Sequence, residues 1–275
     1  FVRLMGRSAS HITMECAFET HPNYTFIGEE ISAKKKSVKE ITREVVDLIV
    51  ERAKIGKNYG VILLPEGLIE FIPEMGALIS ELNDVIAAGH TEQSDIVNHL
   101  QTQSRELFEY LPQSLRNQLT LDRDSHGNVK VSQIETEKFI VSCVEKELEE
   151  LKKEGKYEGS FNTLCHFFGY EGRCGLPSCF DTNYCYALGY NAGILIHEGL
   201  NGMMSTISNL DMPVEEWSAG GVPVTMMMNI ERRNGKDEPV IRKALVELDG
   251  YPYKQFVEQS KEWRLNDCYS FPGPI

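Results

Sequence analysis

Residues 60–67 read Gly-Val-Ile-Leu-Leu-Pro-Glu-Gly, a continuous apolar run from Gly60 to Leu64 halted by Pro65, Glu66 and Gly67. A run without polar alternation is what a strand buried on both faces carries, and such strands belong to parallel sheets covered by helices. Just upstream, Ser37 and Glu40 have capping-box spacing, and Val38, Ile41, Val45, Leu48 and Ile49 recur at helical spacing. Gly56 supplies a C′ stop. Further upstream, Phe1 to Met5 predicts a strand followed by Gly6, Arg7 and Ser8. Ser8 or Ser10 then opens a helix to about Thr20, and Tyr24 to Ile27 predicts another short strand. Phe1 stands where a strand is already under way, so the chain reads as a piece of a longer polypeptide.

Downstream the rhythm changes. Leu78, Leu82, Val85 and Ile86 predict one helix, and Leu107 to Leu119 another, interrupted by Pro112. Ser132 and Glu135 suggest a second capping box before a long helix ending near Lys153 and Gly155. Only Asn128 to Val131 reads as strand. Residues 74–158 are therefore expected to be a largely helical insertion. Strand–helix alternation returns with a strand over Phe161 to Phe168, a helix from about Asp181 to His197 stopped by Gly199, strands over Met203 to Ile207 and Val224 to Met228, and a helix over Pro252 to Leu265. The expected fold is α/β, a three-layer and mostly parallel sheet with helices on both faces. Residues 1–73 and 159–275 form that α/β half, and 74–158 the insertion.

Composition narrows the function. The 275 residues carry 28 Lys+Arg against 41 Asp+Glu, a net charge of −13 that repels a phosphate backbone and argues against nucleic-acid binding. Apolar content of 41% argues against disorder. No apolar run approaches the roughly 18 residues of a membrane span. Seven cysteines, odd in number and without a CxxC pair, read as reduced thiols of a cytoplasmic protein. Cys174, Cys179 and Cys185 with His166 lack the spacing of common zinc sites.

Ligands of open α/β sheets sit at the carboxyl ends of strands. Three loops qualify. Met5, Gly6 and Arg7 follow the first strand: Gly6 admits close backbone approach, and Arg7 supplies a forked cation. Glu66 follows Leu64 and can accept sugar hydroxyl protons. Tyr170, Glu171, Gly172 and Arg173 form the third loop, in which Arg173 can grip a phosphate bidentately. Together they imply a polar, partly anionic ligand such as a sugar phosphate. Other clusters read as structural. Asp122, Asp124 and Gly127 imitate a calcium loop, but His126 and Gln133 occupy ligand positions, so a turn is expected. Arg232, Arg233 and Lys236 read as a solvated face, Lys34 to Lys36 as exposed, Met226 to Met228 as buried strand, and His197 as a helix-end residue favoured by the dipole.

With these loops in hand, the sequence resembles the phosphofructokinase family, most narrowly its long pyrophosphate-dependent form. The matching segments are Phe1–Ser10 (FVRLMGRSAS), Leu64–Glu74 (LPEGLIEFIPE), Gly169–Ser178 (GYEGRCGLPS), Met226–Lys236 and Pro239–Val246, and the likeness runs over essentially the whole chain. The resemblance implies fructose 6-phosphate binding by Met5, Gly6, Arg7, Glu66, Tyr170, Glu171, Gly172 and Arg173, with Arg7 a possible helper of the transition state. It also implies Mg²⁺-assisted phosphoryl transfer. The family's catalytic Asp lies in a Thr-Ile-Asp-Gly-Asp segment, and its donor and metal groups lie around Gly-Gly-Asp-Asp. This sequence contains neither. The expectation is a C-terminal, sugar-binding half, inactive alone, with no catalytic base and no metal ligand of its own. Its partners would be the N-terminal half and a second subunit, in a homodimer or larger assembly. A regulatory subunit of the same family and a sugar-phosphate-binding module are the alternatives.

Overall fold

Leu63 and its two neighbours show how the strand signal becomes layers. In the computed structural model, which describes residues 1–6, 9–90, 92–121, 129, 134–172, 175–233, 236–241 and 244–273, β3 (Ile62–Pro65) is buried at every position. Ile62 and Leu64 join one apolar cluster, whereas Leu63 points the other way into a second. The two-residue period of a strand thus feeds two cores. The first cluster is covered by Ile41 and Val45 of α3 (Val38–Lys54), Met75 and Leu78 of α4 (Pro73–Ala87), and Ile140 and Val144 of α8 (Thr136–Lys153). The second gathers Leu4 with Met14 and Ala17 of α1 (His11–Thr20) and Phe256 of α10 (Tyr251–Trp263). Helices therefore lie on both faces of a four-stranded sheet.

The sheet order is β2 (Tyr24–Thr25), β3, β1 (Val2–Leu4) and β4 (His166–Phe168), all parallel. Leu4 of central β1 pairs with Pro65 on one side and Phe168 on the other. Arg3 of the same strand is 5% exposed and forms an ion pair with Glu137 of α8 at 2.7 Å. It also donates to the Ile134 carbonyl at 3.1 Å and lies 4.1 Å over the Phe167 ring. At the far end of α3, Arg52 and Tyr59 hold the Asp267 carboxyl well below the usual carboxylate range, which ties the C-terminal segment down.

Residues 74–158 are helical wherever they form long elements: α4, α5 (Gln93–His99), α6 (Thr102–Tyr110), α7 (Gln113–Leu121) and α8. Leu111, before Pro112, is extended and separates α6 from α7. Ser37 and Glu40 make the full capping box, and Gly56 is left-handed, with φ 80°.

Several expectations change. The helix α2 (Gly28–Ala33) follows β2 where only strand was read; it is too short for a periodic signal. The strand expected over 161–168 is confined to His166–Phe168, the segment that reaches β1. Glu135 is the N-cap residue of α8, so it cannot be the third helical residue of a capping box, and Ser132 lies outside the described residues. So do 122–128 and 130–133, and with them the calcium-loop reading and most of the strand expected at 128–131. Lys36 is half-buried between Glu30 and Glu44, not exposed like its two neighbours, because two carboxylates draw it inward.

The chain divides into two compact units, Phe1–Arg173 with Leu245–Gly273, and Cys174–Ala244 with Pro274–Ile275. In the second, α9 (Cys179–His197) opens on a Ser178–Asp181 capping box. Asn191 clips it to the antiparallel hairpin of β5 (Met203–Ser208) and β6 (Ser218–Pro223), through Ser205 Oγ at 2.8 Å and the Gly220 carbonyl at 2.7 Å. Val224–Met227 is a 3-10 turn with Met226 exposed, so the methionine run is not buried strand. A second antiparallel hairpin pairs β7 (Met228–Arg233) with β8 (Lys236–Ile241). Among the described residues no helix is long and apolar enough to cross a membrane.

Candidate functional site

Parallel neighbours end on the same side of a sheet, so the loops after β1, β3 and β4 emerge together, about 4.8 Å apart from strand to strand. Their backbones interlock at that edge. Met5 donates its N–H to the Phe168 carbonyl at 3.0 Å, and Glu66 donates its N–H to the Leu4 carbonyl at 3.1 Å. The Glu66 carboxylate then accepts the Gly6 N–H through Oε2 at 3.3 Å. Met5, Gly6 and Glu66 are half-buried. Glu66 is held firmly from behind, because Leu68, Ile69 and Ile72, in the 3-10 turn after it and at the start of α4, are fully buried.

Tyr170 begins a 3-10 turn, Tyr170–Gly172, directly beyond β4, and is 73% exposed. The structure therefore brings Met5, Gly6, Glu66, Tyr170, the Glu171 backbone and Gly172 to one edge of one unit. Arg7 and Arg173 lie outside the described residues.

The two glycines differ. A Cβ on Gly6 would meet nothing among the described residues closer than 3.6 Å, and its φ is not positive. The fold alone does not demand glycine there, which leaves room for a ligand as the reason. A Cβ on Gly172 would sit 2.8 Å from the Phe168 Cβ, so this glycine is required by packing. Gly172→Ala is expected to lose about 1–3 kcal/mol by overpacking, whereas Gly6→Ala should leave the melting temperature unchanged. Thermal unfolding of both variants checks this; a destabilised Gly6→Ala would remove the contrast.

Sequence reasoning missed Glu29, because it missed α2. Glu29 is 6% exposed, and its Oε1 accepts the N–H groups of Ser10 at 3.2 Å and Val246 at 3.0 Å. Ser10 Oγ in turn accepts the Gly28 N–H at 2.9 Å, in place of the expected helix cap. This clip fixes the far end of the loop that starts at Met5.

Among the described residues no cysteine stands in the strand-end loops. Burial pushes the Cys143 thiol up to about 11, and burial also raises Cys16 and Cys165. Among the described residues, the cysteines are free. His166 is in β4, and Cys179 and Cys185 are exposed on α9; Cys174 lies outside the described residues. A hard Mg²⁺ ion wants several oxygen ligands, and Glu66 is the one carboxylate among the side chains described at these strand ends. The side chains described at the edge do not by themselves fit a magnesium site.

No family model matches the chain. Its whole length is 56% identical to the pyrophosphate--fructose 6-phosphate 1-phosphotransferase subunit beta 2 of Arabidopsis thaliana, of which it covers 48%. It is 49% identical to the Porphyromonas gingivalis pyrophosphate--fructose 6-phosphate 1-phosphotransferase, covering 52%, and 43% identical to the subunit alpha of Solanum tuberosum, covering 46%. The chain thus spans about half the length of the curated relatives it matches. Along its entire length the chain is therefore similar to pyrophosphate--fructose 6-phosphate 1-phosphotransferases, and it matches about half of each.

Proposed function

We propose that this chain is the C-terminal, sugar-phosphate-binding half of an enzyme that transfers a phosphoryl group from pyrophosphate to fructose 6-phosphate, giving fructose 1,6-bisphosphate and phosphate. The observation that carries this reading is the Gly6–Glu66 edge, where three parallel strands end side by side in a chain homologous throughout to such phosphotransferases. Residues 74–158 are a helical insertion into that half. Met5, Gly6, Glu66, Tyr170, Glu171 and Gly172 line the sugar, and Arg7 and Arg173 engage its phosphate. Glu66 orients the sugar by accepting a hydroxyl proton while its Oε2 is steadied by Gly6. Arg7 also offsets charge on the transferring group.

Phosphoryl transfer depends on positioning and electrostatic stabilisation more than on covalent chemistry. The chain's share is to hold the acceptor; base, Mg²⁺ ligands and donor groups come from the rest of the parent. Pyrophosphate as donor, glycolytic flux and a cytoplasmic location are parts of the same proposal, and so is a homodimer or larger assembly. In support of further partners, α9 exposes Phe180, Tyr186, Tyr190, Ile194 and Ile196, and a helix apolar on all sides is normally covered.

Glu66→Gln in the parent enzyme tests the reading. Loss of a charge-assisted hydrogen bond costs about 1.5–3 kcal/mol, roughly ten- to hundredfold in kcat/KM for fructose 6-phosphate. Thermal stability should hold, since the amide still accepts the Gly6 N–H. Unchanged sugar kinetics, with pyrophosphate or ATP as donor, would remove Glu66 from the site.

A further inference from the structure

The corner between α4 and α5 gathers two imidazoles around one carboxylate. The chain leaves α4 through Gly89 in the left-handed region, with φ 100°. The Gly89 N–H bonds to the Ile86 carbonyl and the His90 N–H to the Val85 carbonyl, the paired closure that fixes a helix end. His90 therefore leaves the helix in a set direction. Asp95 and His99 stand four residues apart on α5, on one face.

His90 Nδ1 is 2.6 Å from Asp95 Oδ2, and His99 Nδ1 is 3.4 Å from Asp95 Oδ1. Each ring meets a different oxygen of the same carboxylate. The rings stack with centroids 3.8 Å apart and planes 26° apart. One ligand atom from each residue lies within 4.8 Å of those of the other two. Ligands about 2.0–2.2 Å from a tetrahedral zinc ion are roughly 3.3 Å from one another. The side chains are between a third and a half exposed, so small rotations close that difference. The His99 Nδ1 also lies 2.9 Å from the Asp95 carbonyl oxygen, the kind of outer contact that orients a ligating ring.

Hydrogen bonds to Asp95 use one nitrogen of each ring and leave the second nitrogen of each for a ligand. A divalent cation uses both rings neutral and the carboxylate ionised. Two nitrogens with one oxygen suit a borderline ion such as Zn²⁺, Ni²⁺ or Cu²⁺ and not Mg²⁺ or Ca²⁺, which take oxygen. We propose that His90, Asp95 and His99 bind one zinc-class divalent cation, with water completing the tetrahedron, and that the ion clamps the end of α4 to α5. This site is separate from the strand-end edge and does not rest on the proposed sugar site.

The test uses the full-length parent chain without a polyhistidine tag, stripped with chelator and titrated with zinc chloride against a chromogenic competitor. The wild type should bind one zinc equivalent more than the His90→Gln/His99→Gln double variant, with a dissociation constant on the order of 10 µM or tighter, below four-ligand structural affinity. Asp95→Asn, which keeps the carboxylate's shape, should weaken that equivalent about tenfold or more. Cobalt(II) in its place should give visible bands free of thiolate charge transfer, which separates it from ions held by cysteines. Melting curves in chelator should match between wild type and variants, and zinc should raise only the wild type's. Equal zinc uptake by wild type and double variant overturns the proposal, as does no saturable uptake at all.

Discussion

Assayed alone with pyrophosphate, magnesium and fructose 6-phosphate, the 275-residue chain is expected to show no turnover above background, at least about 10⁵-fold below the parent enzyme. A positioned general base contributes about 10²–10⁴-fold, and holding donor and acceptor together contributes effective molarities of about 10⁵–10⁸ M. On the proposed function this chain supplies neither the base nor the donor. Its sequence contains no Thr-Ile-Asp-Gly-Asp or Gly-Gly-Asp-Asp segment, and the side chains described at its strand-end edge do not by themselves fit magnesium. Fructose 6-phosphate should still bind the isolated chain, and calorimetry reads that directly. Robust turnover by a preparation free of contaminating enzyme would sink the half-site reading. Binding lost together with turnover would show instead that the sugar site needs the rest of the parent.

Replacement of Glu137 by Ala is expected to give the largest loss of stability of any single change considered. Arg3 and Glu137 are 5% and 3% exposed, and the sheet's central strand depends on the pair to reach α8. Removing one partner of a buried pair costs about 3–5 kcal/mol, because the other charge stays buried and uncompensated. The Ile134 carbonyl and the Phe167 ring still face the guanidinium, but neither carries a charge. For a chain of this size each kcal/mol moves the melting temperature by about 2–4 °C, so the variant should melt about 6–20 °C lower. Arg3→Met/Glu137→Leu should recover most of that loss, since apolar residues of similar volume often replace such pairs without penalty. A single variant within about 1 kcal/mol of wild type would show that water or a neighbouring group already screens Arg3.

The local signals were legible in the sequence. The run over 60–64 announced a strand buried on both faces, and Ile62, Leu63 and Leu64 divide between two cores as that demands, although Gly60 and Val61 lie exposed before the strand and Pro65 still pairs within it. The Ser37–Glu40 box, the Gly56 stop and the break at Pro112 were equally readable, because each is a local backbone requirement satisfied within a few residues. The three strand-end loops were readable for the same reason, since a strand's end and the turn after it are local features.

What the sequence could not supply was anything that joins distant residues. Arg3 reads as an ordinary strand charge until α8 brings Glu137 to it across 134 positions. Glu29 has no meaning until Ser10 and Val246 offer it their N–H groups. Gly6 and Gly172 look alike as letters, and only the Phe168 Cβ beside one of them separates a packing glycine from one the fold leaves free. The pairing of β1 with both β3 and β4, which sets Glu66 beside Gly6, is likewise a long-range register. Propensity and capping act within a turn or two of the chain. The Gly6–Glu66 contact, the Arg3–Glu137 pair and the Glu29–Val246 bond close over sixty or more residues, and those exist only once the fold has formed.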